Sequence, residues 1–173
     1  MISSTLGQMK NEELQKYIQN LSPELYSFSY ILIPDVLQAS QLMIDCVQSF
    51  LIQKKELVEK MSLSKNKIIE NLLEETKLNI IKIVYELSRK RYQQLKISLS
   101  DVEGHGGFFS LEFDEKAILY LKEKANFDLD TIEFITSSSR SEVLSYLYSA
   151  RIKMTTLISS NEFQNEIENG GVV

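Results

Sequence analysis

From Lys10 to Leu95 the chain contains no glycine, and its two prolines, Pro23 and Pro34, both lie near the start of that stretch. Glycine and proline are the residues that interrupt helices. A run of this length without them is expected to be mostly helical, and its apolar residues recur at helical spacing. Four helices are predicted there. The first spans about Lys10 to Asn20, with Leu14, Tyr17, Ile18 and Leu21 on one face. The second follows Ser22-Pro23, with Ser22 as N-cap and Pro23 in the first helical position, and ends near Pro34. The third spans about Asp35 to Lys60, with Leu42, Cys46, Val47, Phe50 and Leu51 in one stripe. The fourth spans about Ser64 to Leu95, with Ile80, Ile81, Val84 and Leu87 on a broad apolar face and a break expected near Thr76 to Asn79.

Three of the six glycines then fall within Leu99 to Phe108. Clustered glycines raise backbone freedom, so residues 97–108 read as a linker. Residues 109–160 are again free of glycine and periodic. A helix is predicted from Asp114 to Lys124, and a pair from Leu129 to Ile135 and from Arg140 to Leu157. The end, Asn169 to Val173, looks frayed. The fold class is therefore all-α. Two small helical domains, 10–96 and 109–160, are joined by the glycine-containing linker, and 173 residues suffice for both.

Net charge is −5, so the chain as a whole is no electrostatic binder of nucleic acid. Any DNA contact has to come from a local patch, or with help from a partner that neutralises phosphate. The opening residues lack a basic region followed by an apolar run, and no apolar run reaches the roughly 18–20 residues of a bilayer span. Cys46 stands alone and forms no intramolecular disulfide, which suits a reducing cytosol; a cytoplasmic location is expected. His105 sits between glycines with no second histidine or cysteine near it, so neither a metal site nor a catalytic triad is expected, and the chain reads as no enzyme and as carrying no cofactor.

Two segments carry a candidate function. In Phe127 to Lys153, Asp128 is placed to cap a short helix, Ser137-Ser138-Ser139 makes a turn, and Ser139 caps a second helix. Ile132, Ile135, Val143 and Leu147 face inward, leaving Arg140, Ser141, Leu144, Ser145 and Tyr148 outward. That is the pattern of a helix-turn-helix, whose second helix enters the major groove. A plain helical hairpin gives the same pattern. The second segment is Arg89-Lys90-Arg91 with Lys82 and Lys96, flanked by Tyr85 and Tyr92. Cations among aromatics suit phosphate contact with base stacking, and they equally suit a solvated helix end.

Residues 109–157 resemble the promoter-reading C-terminal domain of bacterial sigma factors of the extracytoplasmic-function group. The resemblance rests on Leu111 to Leu121, then on Phe127, Asp130, Ile132, Ile135, Ser139, Val143, Ser145, Leu147, Ala150 and Arg151. Upstream, Leu25 to Asp35 and Gln38 to Val47 are similar to the helix pair with which that family grips the largest subunit of RNA polymerase. Several positions depart from the family. Glu133 replaces a small residue, Ser137 a turn glycine, and Ser40-Gln41 an acidic pair; Thr136 and Ser138 stand at usually apolar positions. The resemblance implies transcription initiation without covalent chemistry. Gln41, Asp45 and Gln48 would meet core polymerase. Arg89, Lys90 and Arg91 would meet the −10 promoter region, and Arg140, Ser141, Ser145, Tyr148, Arg151 and Lys153 the −35 element. An anti-sigma factor is a further partner of the family. A degenerate version would keep the fold and act as a protein-interaction module that regulates transcription without reading promoters.

Overall fold

The computed structural model describes residues 2–63, 66–99 and 107–169, with side chains at 14–60, 70–95 and 107–156. No strand occurs among the described residues. The chain forms two compact units, Met1–Arg91 and Tyr92–Val173.

In the first unit α1 (Ile2–Leu32) packs on α2 (Val36–Gln53) and α3 (Lys55–Leu63), and α4 (Asn66–Leu99) completes the core. The two helices expected on either side of Ser22-Pro23 are one helix with Pro23 inside it. Ser22 does not cap; its Oγ donates to the Ile18 carbonyl at 3.1 Å. An interior proline costs ~3 kcal/mol. Here Leu14, Leu21, Leu25, Phe28 and Leu32 form one buried stripe running through the proline, and each contributes roughly 1.5–3 kcal/mol. The stripe outweighs the break.

Asp35 then caps α2, its side chain accepting from the Gln38 N–H at 2.8 Å. The expected helix from Asp35 to Lys60 is divided at Lys54, whose backbone leaves helical geometry, and α3 brings Leu57 into the core. Leu42, Cys46 and Phe50 are fully buried, as their stripe predicts, whereas Leu51 is nearly half exposed. The break expected near Thr76 to Asn79 is absent. Both side chains are buried and helical, and Asn79 Nδ2 donates to the Glu75 carbonyl at 2.7 Å. Tyr17 Oη donates to the Leu73 carbonyl at 2.9 Å, tying α1 to α4. Burial raises the Tyr17 phenol, with Glu74 and Glu24 adding to it. Cys46 Sγ donates to the Ile80 carbonyl, and burial pushes its thiol up to about 12.

The second unit takes the end of α4 from Tyr92. Residues 97–99 of the expected linker are helical; residues 100–106, with His105, lie outside the described residues, as does Lys96's side chain. A short 3-10 turn, Gly107–Ser110, leads into α5 (Phe113–Leu119). The helix predicted to run to Lys124 widens after Leu119, with the Ala125 N–H donating to the Tyr120 carbonyl five residues back. Asn126, at φ 57°, ends it. Next come α6 (Leu129–Thr136) and α7 (Arg140–Asn169), the latter far longer than the predicted end at Leu157. Both α5 and α6 pack on α7, enclosing Leu111, Ala117, Ile118, Leu121, Ile132, Ile135, Val143, Leu147 and Ala150. Lys116 is buried with them. Its Nζ donates to the Phe109 carbonyl and lies 5.6 Å from the centre of the Tyr92 ring, which packs on Phe113.

Candidate functional site

The turn between α6 and α7 is built by its own residues. Asp128 caps α6, accepting from the Thr131 N–H at 2.8 Å, and this bond holds its carboxyl below the usual range. Ser137 takes a left-handed conformation, φ 53°. L residues avoid that region because Cβ crowds the carbonyl, which is why glycine usually occupies it. Thr136 is buried, and its hydroxyl is satisfied by the Ile132 carbonyl at 2.8 Å, so a polar residue is tolerated at an apolar position. Ser139 opens α7. Its N–H and hydroxyl both donate to Glu142, each at 2.7 Å, while its carbonyl accepts from Val143. Ser139-x-x-Glu142 is a capping box. Ser139 is legible as the cap, and Glu142 three residues on is the sequence signal of the box.

Arg140, Ser141, Leu144, Ser145, Tyr148 and Arg151 all lie on the exposed side of α7, with Tyr148 71% exposed. The three cations of that helix are each held by carboxylates of the same unit. Arg140 donates to Asp130 at 3.0 Å and to Glu133 at 3.2 Å. Arg151 donates to Glu123. Lys153 donates to both oxygens of Glu115, at 2.7 and 2.8 Å. Glu133, which replaces a small residue, is therefore no steric obstacle at a helix crossing; it lies half-buried on α6 and holds Arg140.

The Arg140 and Arg151 pairs are exposed enough to add little stability, ~0–1 kcal/mol each, whereas Lys153 meets a buried carboxylate. Their effect on a ligand is larger in kind. A phosphate approaching Arg140 meets two carboxylates already at the guanidinium. The wider charge balance runs the same way. Residues 92–173 carry thirteen acidic and seven basic side chains, and residues 1–91 carry eleven and twelve. Between the paired cations the face is apolar: Leu144 and Ile152 are about half exposed and flank Tyr148 at four-residue spacing, and Phe134 on α6 is also exposed.

In the first unit, residues expected to serve two different sites meet each other. Arg91 Nη2 donates to Asp45 Oδ2 at 2.6 Å, and Arg91 also reaches the Gln38 carbonyl. Gln41 donates to the other Asp45 oxygen at 2.8 Å. The Gln41 hydrogen bond foremost, with Arg91, holds the Asp45 carboxyl below its ordinary value. Asp45 and Arg91 thus form an internal brace between α2 and α4. Arg89 and Lys90 are exposed on α4, and Gln48 is exposed on α2.

Among the described residues no group of three or more His, Cys, Asp or Glu is placed to hold a metal ion, and no helix is long and apolar enough to cross a membrane. No protein-family model, curated protein or solved structure matches the chain.

Proposed function

We propose that this chain is a sigma-like protein-interaction module that regulates transcription by binding core RNA polymerase without reading promoter sequence, the face of α7 meeting protein instead of DNA. One observation carries this reading. Arg140, Arg151 and Lys153 are each engaged by carboxylates of their own unit, while Leu144, Tyr148 and Ile152 project outward. Major-groove readers need uncommitted guanidinium and amide groups, and phosphate contact needs net positive potential. A protein partner needs an apolar centre with a polar rim, which the face of α7 supplies. The acidic balance of the second unit matches a partner groove with a basic rim.

The promoter-reading version is the second reading. Ser141, Ser145 and Tyr148 support it, being exposed together on the first turns of α7 behind a capped N-terminus.

A pull-down with core polymerase separates the two, run with gel shifts and run-off transcription from promoter fragments. The interaction module binds polymerase, loses at least about tenfold in affinity in Leu144→Asp/Tyr148→Asp, and confers no promoter selectivity. Both side chains are exposed, so the variant keeps its circular dichroism spectrum. A salt-dependent, promoter-selective shift that Arg140→Ala weakens by ~1–3 kcal/mol overturns this reading in favour of the second.

A further inference from the structure

α2 has one charged residue, Asp45, among its eighteen, although a long face of it lies open to solvent. Leu37, Ile44 and Leu51 are spaced by seven residues and are 79%, 52% and 44% exposed. Gln41 and Gln48 stand between them on the same stripe, and both are exposed. Val36 and Ile52, 60% and 78% exposed, widen it at either end. Seven residues make two helical turns, so the stripe runs nearly parallel to the helix axis.

Read in either direction from Ile44, the stripe has the same order: Ile44, then glutamine, then leucine. This is the property a two-fold interface requires, because each residue must meet its counterpart from the other copy. We infer that α2 is the contact surface for a second copy of this chain, packed antiparallel about a two-fold axis at Ile44.

The antiparallel register places Leu37 of one copy opposite Leu51 of the other. Leu51 also lines an apolar groove of about 430 Å³ with Leu14, Ile18, Val47 and Val58. The most exposed leucine of the stripe therefore faces a hole of matching chemistry, as a knob faces a hole in coiled-coil packing. The register also sets Asp35, exposed at the start of α2, opposite Lys54 and Lys55 at its end. Charge and apolar pattern select the same axis. Gln41 has its amide nitrogen committed to Asp45, leaving its carbonyl oxygen to accept from Gln48 of the other copy.

The five apolar side chains leave on the order of 600 Å² in water, the upper end of the largest patch on an ordinary monomer, a size often functional. Two such stripes face to face remove about 1,200 Å², the lower edge of a specific interface. The association is thus reversible and concentration-dependent. It lies in the first unit and stands whether or not α7 binds polymerase.

Sedimentation equilibrium of the full chain from about 1 to 200 µM tests it. The expected mass rises toward twice the 20.0 kDa of one chain. Ile44→Glu sets two carboxylates at the axis and raises the dissociation constant at least about tenfold. Its circular dichroism spectrum stays that of the parent, because Ile44 is half exposed. Lys54→Glu weakens the dimer by facing Asp35, and adding Asp35→Asn, which keeps the helix cap, restores part of the loss. Ile44→Cys cross-links to itself under mild oxidation, whereas Glu59→Cys on α3 does not; the native Cys46 is buried. A wild-type chain that stays monomeric throughout overturns the inference. So does a dimer that Ile44→Glu leaves intact.

Discussion

Glu115 offers the sharpest test of how the second unit is held together. Its side chain is 5% exposed and accepts four hydrogen bonds: two from Lys153, one from Ser149 at 2.6 Å, and one from the Glu112 N–H at 2.9 Å. Glu115→Gln keeps the shape and the capping interaction but removes the charge. Hydrogen bonds to a charged group contribute ~1.5–3 kcal/mol and neutral ones ~0.5–1.5, so the Lys153 and Ser149 contacts each lose roughly 1 kcal/mol. Lys153 is 45% exposed and rehydrates, which trims the total to about 1.5–2 kcal/mol. Glu115→Ala also removes the bond to the Glu112 N–H, adding ~1 kcal/mol.

Hydrogen exchange read by peptide mass spectrometry resolves the two units. Protection of the α5 and α7 amides should fall about tenfold to thirtyfold in Glu115→Gln, and further in Glu115→Ala. The α1 and α2 amides should hold steady. The pH dependence follows from the sign of the shift. Burial pushes the Glu115 carboxyl up, but the bonds from Lys153, Ser149 and Glu112 outweigh it and hold it below its usual value. The unfolded chain then takes up the proton more readily, so the contribution is complete above the ordinary carboxylate range of ~4.3 and is lost as pH falls through the lower folded value. The gap between wild type and Glu115→Gln should close over that interval. A protection change under threefold at neutral pH, or an equal change in α1, refutes this account.

Two further substitutions probe the site. Ser137→Gly should stabilise the second unit by about 0.5–1 kcal/mol, because φ 53° is strained for serine and free for glycine; urea titration checks it, and a loss of stability refutes the strain. Arg91→Gln should destabilise the first unit by ~0.5–1.5 kcal/mol by breaking the partly buried brace to Asp45, and combining it with Asp45→Asn should cost less than the sum of the singles in a double-mutant cycle; additive effects would show that the pair carries no coupling.

Local rules made much of the fold legible. The stripe Leu42, Cys46 and Phe50 and the inward set Ile132, Ile135, Val143 and Leu147 read directly, because burial on a helix repeats at a fixed spacing. Helix ends read less well. Ser22-Pro23 has every local mark of a start, yet the residues that keep α1 whole are Leu14 and Leu21 before it and Leu25 and Phe28 after it, all buried together. No window around Pro23 contains that fact. The division at Lys54 is similar: it serves the packing of Leu57, and nothing in the residues beside Lys54 announces it.

The pairing of the candidate site's cations is not legible in the sequence, for a related reason. Pattern alone placed Arg140, Arg151 and Lys153 on the face of a reading helix, and all three are at least partly exposed there. What decides whether a cation can meet phosphate is its partner, and the partners lie far back in the chain. Asp130 is ten residues from Arg140, Glu123 is twenty-eight from Arg151, and Glu115 is thirty-eight from Lys153. Helical spacing reports only residues three or four apart. A carboxylate brought in by a neighbouring helix is invisible to it, yet it lowers the cation's attraction for an anionic ligand and leaves its stem covering apolar surface. The same backbone pattern therefore serves either a DNA reader or a protein docking face. The choice rests on a few glutamates and aspartates on α5, α6 and the turn between them, which is where a search for the function of similar helix pairs should begin.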